Sequence, residues 1–481
     1  MLIDDAWVEA SDGSSIEIIN PGSGEVIDQV PTATLDDAKK AVDAAQNGKL
    51  AMGSTPAHQR ADILFQIADA IETNKSQLSE LLAQENGKPI LQTREELMAT
   101  IRIIRGYAEQ AKRIFGRMVP MDAVPGQERN LAITIRQPVG VVAAIVPFNY
   151  PVELWAHKAA AALAAGNALI VKPPSACPLT LLKIASLMQE VGLPKAVYQV
   201  ITGPGERIGE FLSSSPGIQM VTVTGSTQVG IKISQLAAQN LKKTCLELGG
   251  NDATIVCADA DLEKAAEAIV LGRLARGNGQ ICCAVKRIFV ASEVYDNFAE
   301  ILAAKAKKLK VGDQLSEDTD VGPLITEQAA IKVEALIQDA VKNGAVLIAG
   351  GNRREAFISP AVLTHVPMDV ELFCQETFGP VAPLVAFNDL QKAIEMANDT
   401  PFGLQAAVFT QDISKAFDIA YRLEVGGVII NWSSAMRVES LPFGGIKMSG
   451  SGREGFLDTI NEMTEQKIIL IHGALSVFNS E

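Results

Sequence analysis

The chain has 481 residues, and because a single hydrophobic core stops growing below that length, we expect two large lobes. Its composition is 48% hydrophobic, 20% charged and 5% aromatic, which favours an α/β fold with helices packed on a mostly parallel sheet. The net charge is −14 and no long basic run occurs, so we do not expect the protein to bind nucleic acid.

Export and membrane insertion are not expected either. The sequence starts without a basic leader or an apolar signal segment. The richest apolar segments, 139–148 and 159–171, are interrupted or flanked by polar residues and fall short of a membrane span. We therefore expect a cytoplasmic protein without a membrane partner.

The cysteines and histidines limit the possible metal chemistry. The six cysteines include no Cys-x-x-Cys pair, and the four histidines are far apart in the sequence. We therefore predict no metal site and no histidine-based catalytic triad. Free thiols of this kind are typical of proteins in a reducing compartment.

The first predicted elements are amphipathic helices, because apolar residues recur at helical spacing from Ala61 to Gln84. Strands and helices then alternate between 167 and 247. We predict strands at 168–172, 197–201, 220–224 and 243–247, with helices at 178–191, 205–213 and 228–238. This alternation predicts a doubly wound sheet, which binds its ligand at the carboxyl ends of the strands.

Two glycine-rich turns in this region are candidates for a phosphate site. The turn 203–209 misses the dinucleotide fingerprint G-x-G-x-x-G by one residue, and the turn 225–230 lacks the lysine of a P-loop. Gly225 and Ser226 nevertheless fall between a predicted strand and a predicted helix, where free backbone N–H groups and the helix dipole favour a phosphate. An ordinary turn explains the same residues equally well.

A second α/β pattern follows and extends to about residue 443. It begins with a strand at 253–257, a helix at 262–274 and a strand at 286–290. The tail at 466–472 has four consecutive large apolar residues and is typical of a strand that is buried on both faces. Its candidate partner is the segment 131–136, in the same subunit or in another, and such a surface favours an oligomer.

Several short motifs follow one another in an order that is highly specific. They are Pro147-Phe148-Asn149-Tyr150-Pro151, Lys172-Pro173-Pro174-Ser175, Gly225-Ser226-Thr227, Glu247-Leu248-Gly249-Gly250-Asn251, Gly279-Gln280-Ile281-Cys282, Glu376-Thr377-Phe378-Gly379-Pro380 and Pro442-Phe443-Gly444-Gly445. With these motifs the chain resembles the aldehyde dehydrogenase superfamily over essentially its full length. It is similar to the lactaldehyde, phosphonoacetaldehyde and succinate-semialdehyde branch, whose substrates are short and often anionic.

The resemblance implies both a fold and a reaction. The implied fold has a Rossmann-like cofactor domain, an α/β catalytic domain with a nucleophilic cysteine, and a small β oligomerisation element in a homodimer or homotetramer. The corresponding segments are 1–118 with 140–248, then 249–443, and finally 119–139 with 459–481. The implied reaction oxidises an aldehyde to its carboxylic acid with NADP or NAD.

Three residues match the family's catalytic groups. Cys282 matches the nucleophile, whose addition forms the tetrahedral adduct that an aldehyde needs before it releases hydride. Asn149 matches the side-chain donor of the oxyanion hole, and Glu247 matches the base that activates water to hydrolyse the thioester. Taken singly, they are equally explained as a buried thiol, a turn asparagine and a capping or solvated glutamate.

Other motif residues match the family's cofactor site. Lys172 and Glu376 match the pair that binds the two ribose groups, and Phe378 matches the residue beside the nicotinamide. The remaining residues carried over to the cofactor site are Pro147, Phe148, Gly225, Ser226 and Gly249. Singly, Lys172 is also explained as a surface lysine and Phe378 as a core residue.

Ser175 departs from a common pattern of the family. NAD-restricted relatives often carry a glutamate three residues after the strand-end lysine, which here is Lys172. A carboxylate there binds a 2′-hydroxyl and repels a 2′-phosphate, whereas a serine donates to either. We therefore expect NADP to be accepted, with NAD not excluded.

Substrate residues are scattered in this family. The cations and the histidine in segments that flank its substrate entrance are Arg102, Arg105, His157, Lys286 and Arg437. Arginine suits a carboxylate or phosphate, so a small anionic aldehyde is expected, although solvated surface cations explain each residue singly. Ala275 and Arg276 stand where many relatives place aromatic residues, which makes aromatic aldehydes less expected.

Two other functions remain open at this point. One is a catalytically silent binding or structural protein on the same scaffold, and the other is a reductase that uses an acyl-coenzyme A. The joint presence of Cys282, Glu247 and Asn149 argues against the first. Glu247 also argues against the second, because such relatives pass the thioester to another thiol.

Overall fold

The computed structural model describes residues 1–475. The helices are α1 Leu35–Ser54, α2 Ala57–Thr73, α3 Lys75–Asn86, α4 Ile90–Ala111, α5 Pro151–Ala165, α6 Leu179–Glu190, α7 Gly205–Ser214, α8 Thr227–Ala238, α9 Leu262–Ile269, α10 Tyr295–Ala306, α11 Glu327–Lys342, α12 Glu371–Cys374, α13 Leu390–Asn398, α14 Ile413–Arg422 and α15 Phe456–Glu462. Within the described part of the chain, no helix is long and apolar enough to cross a membrane.

The strands belong to three larger sheets and two hairpins. They are β1 Leu2–Ile3, β2 Ala6–Trp7, β3 Ser15–Ile19, β4 Val26–Pro31, β5 Arg117–Val119, β6 Leu131–Pro138, β7 Val141–Ile145, β8 Ala168–Lys172, β9 Tyr198–Val200, β10 Met220–Thr224, β11 Lys243–Glu247, β12 Ala253–Val256, β13 Arg287–Ala291, β14 Val346–Ala349, β15 Arg353–Arg354, β16 Phe357–Ile358, β17 Ala361–Thr364, β18 Val381–Phe387, β19 Gln405–Phe409, β20 Gly427–Ile430, β21 Gly450–Ser451 and β22 Thr464–Ile471.

The first sheet has the order β2-β1-β9-β8-β7-β10-β11-β21, and its central strands are parallel. Successive residues of β7 enter cores on opposite faces: Val142 and Ala144 pack with α4 and α5, whereas Val141 and Ala143 pack with α1 and α7. Burial on both faces explains why these strands are continuous apolar runs. The predicted strands 168–172, 220–224 and 243–247 are confirmed to the residue, and the doubly wound α/β fold is confirmed.

The second sheet has the order β14-β17-β18-β13-β12-β19-β20 and is parallel except at β14. The helix predicted at 262–274 needs a correction, because α9 ends at Ile269 and the chain continues through a π-helical turn from Val270 to Ala275. Gly272 lies in this turn, and a Cβ there would come within 1.8 Å of Ser433 Oγ. The wider turn therefore brings the backbone unusually close to a neighbouring loop and leads directly into the loop that carries Cys282.

The third sheet has the order β22-β6-β5. Strand β22 pairs antiparallel with β6 of the same chain, from Thr464 opposite Pro138 to Ile471 opposite Leu131, so the predicted partner is confirmed within one subunit. The prediction that this strand is buried on both faces was wrong for the single chain, because residues 465–471 are exposed. The strand is an edge of its sheet, and nothing else in residues 1–475 covers it. Residues 476–481 lie outside the described residues, and the domain boundaries stay predictions.

Two glycines of α1 provide a test of how this helix packs on β9. A Cβ at Gly48 would lie 1.9 Å from the backbone oxygen of Ala196, so Gly48→Ala forces α1 off the strand and we expect a loss of about 1–3 kcal/mol. At Gly53 the nearest atoms are 3.9 Å and 4.0 Å away, and Gly53→Ala gains helix propensity worth a few tenths to about 1 kcal/mol. Thermal unfolding of both variants checks this. Equal melting temperatures would contradict the packing.

Candidate active site

The loop before Cys282 has an unusual backbone. Gly277, Asn278 and Gly279 all have left-handed conformations, with φ of +56°, +54° and +73°. Asn278 tolerates this conformation better than most side chains do. Its amide nitrogen donates to the backbone oxygens of Gly87 at 3.0 Å and Pro323 at 2.9 Å. The loop is therefore turned sharply and fixed before it reaches the cysteine.

Cys282 is partly exposed and lines a cavity of about 30 Å³ together with Asn149. A larger cavity of about 390 Å³ adjoins it, and Arg102 lies in the wall of this outer cavity. The wall residues that the two cavities share are Tyr150, Glu153 and Arg276. The structure thus brings the predicted nucleophile and the predicted amide donor to one small chamber, with a wider space outside it.

The thiols of Cys282 and Cys283 form a coupled pair in this chamber. A hydrogen bond from Cys282 lowers the pKa of Cys283 to about 7, and the same bond and burial raise the pKa of Cys282. Lys286 favours the ionised form of both thiols. The pair therefore loses its first proton more easily than an isolated thiol does, and its second proton less easily.

Lys286 connects the nucleophile loop to Glu376. Its buried ammonium group donates to the backbone oxygen of Cys282 and to Glu376 Oε1, the latter at 2.9 Å. The backbone N–H of Gly250 donates to the same carboxylate oxygen at 3.2 Å. Lys286 was predicted to flank the substrate entrance, whereas the structure places it between the cysteine loop and the predicted ribose carboxylate.

Glu247 ends β11 and is 3% exposed. Neither carboxylate oxygen has a hydrogen-bond partner among the described residues. Burial raises the pKa of Glu247 well above its usual range, Glu454 raises it further, and Arg437 opposes the rise. Its Oε1 lies 2.8 Å from where a Cβ of Gly444 would be, so the glycine leaves room for the carboxylate. An unpaired carboxylate with a raised pKa suits a general base near neutral pH.

Glu454 behaves in the opposite way. Its carboxylate binds Lys158 at 2.5 Å and Arg437 at 2.9 Å, and all three side chains are largely buried. Burial alone would raise the pKa of Glu454, but the two cations lower it well below its usual range. Arg437 also lies over the ring of Phe443, 4.4 Å from its centroid, and lines the chamber of Cys282.

The predicted cofactor residues lie at the carboxyl ends of the first sheet. Lys172 ends β8, is 4% exposed and donates to Ser175 Oγ at 3.0 Å, which in turn donates to the backbone oxygen of Gly203 at 2.9 Å. Burial lowers the pKa of Lys172 to about 8. No carboxylate within residues 1–475 lies in salt-bridge distance of this ammonium group. A nearly buried cation without an acidic partner fits a ligand that brings hydroxyl or phosphate oxygens.

The turn at Gly225 and Ser226 also fits a dinucleotide. Ser226 caps α8, because its side chain accepts from the N–H of Val229 at 3.4 Å. A Cβ on Gly225 would meet its nearest atoms, on Val223 and Val229, at 3.9 Å, which is ordinary van der Waals contact. The remaining N–H groups of the first turn are available to a phosphate.

Two aromatic residues lie next to Glu376. The rings of Phe148 and Phe378 pack edge to face with centroids 5.7 Å apart, and Pro147 directly precedes the first of them. A Cβ at Gly249 would come within 2.2 Å of Glu376 Oε2, so only glycine allows the carboxylate to lie there. These residues fit the nicotinamide end of the cofactor, which supplies the hydride acceptor when it is bound.

The other predicted substrate residues occupy different places. Arg102 lies at the outer cavity and pairs with Glu439 at 2.9 Å. His157 is fully buried against Tyr107 and lines neither of these two cavities. Arg105 lies on the surface and pairs with acidic residues of α2.

Sequence reasoning missed a second group of site residues. Arg276 was recognised only as a departure from the family pattern, although a cation six residues before the nucleophile was a usable signal. Lys88 and Glu96 form a buried ion pair behind Asn149. No motif pointed to them, because their roles arise from contacts between distant segments.

The fold and the chamber together fit an enzyme with a cysteine nucleophile on a nucleotide-binding α/β scaffold. The model of the aldehyde dehydrogenase family matches residues 7–469, and the chain belongs to this family. It is an oxidoreductase that acts on aldehydes with NAD or NADP, so the silent scaffold is set aside.

The chain is similar to two named enzymes and to one solved structure of a third. A 3-sulfolactaldehyde dehydrogenase of Priestia aryabhattai is 42% identical over 457 residues, which cover 95% of each chain. The NADP-dependent succinate-semialdehyde dehydrogenase of Escherichia coli K12 is 39% identical over 98% of this chain and 97% of its own. A crystal structure of glyceraldehyde-3-phosphate dehydrogenase from Methanocaldococcus jannaschii with NADP superposes with a TM-score of 0.91 at 39% identity, over 95% of this chain and 99% of the other.

Replacing the unpaired carboxylate tests its role. In Glu247→Gln we expect a normal first turnover and a steady-state rate lower by about 10²–10⁴-fold, because the thioester forms but no base activates water. Stopped-flow measurement of reduced cofactor shows the burst, and Cys282→Ala should give no burst while still binding cofactor. A full steady-state rate without a burst in Glu247→Gln would contradict the assignment of Glu247 as the base.

The raised pKa of Glu247 also predicts a pH dependence. Because the pH must exceed this pKa for the base to be ionised, hydrolysis in the wild type should accelerate with pH above the ordinary glutamate range.

Proposed function

We propose that the protein oxidises a short aldehyde with an anionic group to its acid, with NADP preferred and NAD also accepted. The observation that carries the proposal is Arg276 in the wall of the chamber that holds Cys282, since Arg437 in the same wall is already paired with Glu454 at 2.9 Å. An enzyme for uncharged aldehydes has no need for a guanidinium group beside its nucleophile, because burying such a group costs solvation.

In the proposed reaction the Cys282 thiolate adds to the aldehyde carbon. The side-chain amide of Asn149 and the backbone N–H of Cys282 stabilise the charge that develops on the aldehyde oxygen, and one such donor is worth about 3 kcal/mol. A nicotinamide cofactor held near Glu376 and Phe378 would supply the hydride acceptor for this adduct. Glu247 then takes a proton from the water that attacks the thioester, the carbon–sulfur bond breaks, the acid leaves, and Cys282 is released as the thiolate.

Arg276 is the residue best placed to hold the anionic group. One guanidinium nitrogen donates to the backbone oxygen of Ala435 at 3.1 Å, which leaves other donors for a ligand. Glu153 lies in the same wall, where burial raises its pKa while Arg437 and Arg276 oppose the rise. The names of the similar proteins describe a sulfonate, a carboxylate and a phosphate aldehyde, which supports an anionic group without selecting one.

Substituting Arg276 tests the substrate class. Arg276→Met should raise KM for succinate semialdehyde about 10- to 100-fold, because a hydrogen bond to a charged group is worth about 1.5–3 kcal/mol, and leave KM for butanal nearly unchanged. Arg105→Met, on the surface outside both cavities, is the matched control. Equal losses for both aldehydes in Arg276→Met would show that Arg276 shapes the chamber without recognising charge.

The preference for NADP rests on Lys172 and Ser175. The Lys172 ammonium group donates a hydrogen bond to the Ser175 hydroxyl, so a positive charge and a hydroxyl lie side by side at the end of β8. A 2′-phosphate gains binding energy from the charge of the ammonium group and from the serine hydroxyl, whereas a 2′-hydroxyl gains it only from hydrogen bonds. Both cofactors are therefore bound, with the phosphorylated one held more tightly.

Ser175→Glu should reverse this preference. The added carboxylate faces the 2′-phosphate, and partly desolvated like charges lower NADP affinity about ten- to a hundred-fold. NAD efficiency should stay or rise, because the carboxylate accepts from the ribose hydroxyls. Ser175→Ala controls for loss of the hydroxyl alone. An unchanged ratio of kcat/KM values in the glutamate variant would place Ser175 away from the ribose.

The assembly and the location belong to the same proposal. Strand β22 exposes Ile468, Ile469, Leu470 and Ile471 at the edge of its sheet, and a second copy of the chain is the partner that would cover them in a homodimer or homotetramer. The six free cysteines suit a reducing compartment such as the cytoplasm. We assign 1–118 with 140–248 to the cofactor, 249–443 to catalysis, and 119–139 with 459–481 to assembly.

A further inference from the structure

Lys88 and Glu96 form an ion pair in the protein interior. Their side chains are 1% and 0% exposed. A buried pair of this kind is a weak source of stability, because desolvation offsets the attraction between the charges, and apolar replacements are often neutral. Its position suggests another use, since both groups also contact the segment that carries Asn149.

Lys88 holds this segment from one side. Its ammonium group donates to the backbone oxygen of Asn149 at 2.8 Å and lies 3.9 Å from the centroid of the Tyr150 ring. Tyr150 in turn lines both cavities. One cation therefore fixes the peptide of the proposed oxyanion donor and the adjoining wall of the substrate path.

Glu96 holds the segment from the other side. Its Oε1 accepts from the backbone N–H of Val152 at 2.9 Å and of Glu153 at 3.2 Å. These N–H groups belong to the first turn of α5 and have no partner within the helix. A carboxylate there also interacts favourably with the helix dipole. The start of α5, which directly follows Asn149, is thereby fixed.

The residues before Lys88 extend the same contact. Asn86 donates from its amide to the backbone oxygen of Phe148 at 2.6 Å. Gly87 accepts from the Asn278 amide at 3.0 Å, and its own φ is +87°. A Cβ there would lie 2.6 Å from the backbone oxygen of Pro323, so glycine is required for this approach. The segment 86–88 thus touches the oxyanion loop and the nucleophile loop together.

We propose that Lys88 and Glu96 are positioning residues that set Asn149 against Cys282. This rests on the proposed function of Asn149 as the oxyanion donor. The pair touches none of the predicted catalytic or cofactor side chains, and acts through the backbone of the segment 149–153 and the ring of Tyr150. A displacement of about 1 Å at a reacting group is enough to slow a reaction by about 10²-fold.

The test is a charge-free variant, Lys88→Met with Glu96→Gln. The glutamine still accepts from the first turn of α5, so the variant removes mainly the bond to Asn149. We expect the first-turnover rate to fall at least 10-fold. NADP binding and alkylation of Cys282 by iodoacetamide should change less than 2-fold, because alkylation forms no oxyanion. Lys242→Met, which removes an ammonium group from the backbone oxygen of Ile218 in the first lobe, is the control and should keep its first-turnover rate.

A double-mutant cycle with Asn149→Ala separates positioning from a general structural role. If the pair acts through Asn149, the charge-free change should slow the Asn149→Ala enzyme by no more than about 2-fold. If the charge-free change and Asn149→Ala reduce the first-turnover rate by factors that multiply, the positioning role is overturned. A charge-free variant with an undiminished first-turnover rate would overturn it as well. An Asn149→Ala enzyme with full first-turnover rate would instead overturn the oxyanion role and this proposal with it. If the charge-free variant does not fold, Lys88→Arg keeps the charge and changes the donor's reach, and its loss must likewise vanish in the Asn149→Ala background.

Discussion

The side-chain amide of Asn278 is the contact on which the geometry of the chamber depends most. The nucleophile loop belongs to the part of the chain that forms the second sheet, and the Asn149 loop belongs to the part that forms the first sheet. The chamber therefore exists only while these two parts keep their relative position. Asn278 donates to Gly87 from the first lobe and to Pro323 from the second, and it accepts from the N–H of Gly322 at 2.9 Å. Asparagine combines a donor, an acceptor and tolerance of a left-handed backbone, which few residues offer.

The charged groups near the chamber divide into paired and unpaired ones. Glu454 holds two cations and keeps a low pKa, whereas Glu247 lacks hydrogen-bond partners within residues 1–475 and has a raised pKa. An unpaired interior carboxylate costs stability, and a raised pKa is what the proposed role of Glu247 as a base requires. Burial is the main cause of this raised pKa, and Arg437, which is held by its salt bridge to Glu454, opposes the rise.

The sequence predicted what local patterns encode. Apolar runs located four strands of the first sheet, β8 to β11, to within a residue or two, and short motifs predicted that Cys282 and Asn149 share one site. Roles that depend on contacts between distant segments were missed, because local patterns do not encode such contacts. Lys88 and Glu96 gain their role only by reaching a loop more than fifty residues away. His157 was expected near the substrate, but α5 is buried along its whole length and the His157 ring lies against Tyr107 of α4.

The arrangement of the two cavities also constrains the length of the substrate. The chamber at Cys282 holds about 30 Å³, which suits an aldehyde group and little more, while the outer cavity holds about 390 Å³. A substrate bonded to Cys282 therefore places its next atoms against Tyr150, Glu153 and Arg276, the wall that both cavities share. The cation of this shared wall is Arg276. A longer tail passes this wall and reaches Arg102, which is already paired with Glu439 at 2.9 Å and so offers less to an anion. The proposed preference for short anionic aldehydes rests on this order of cations along one path.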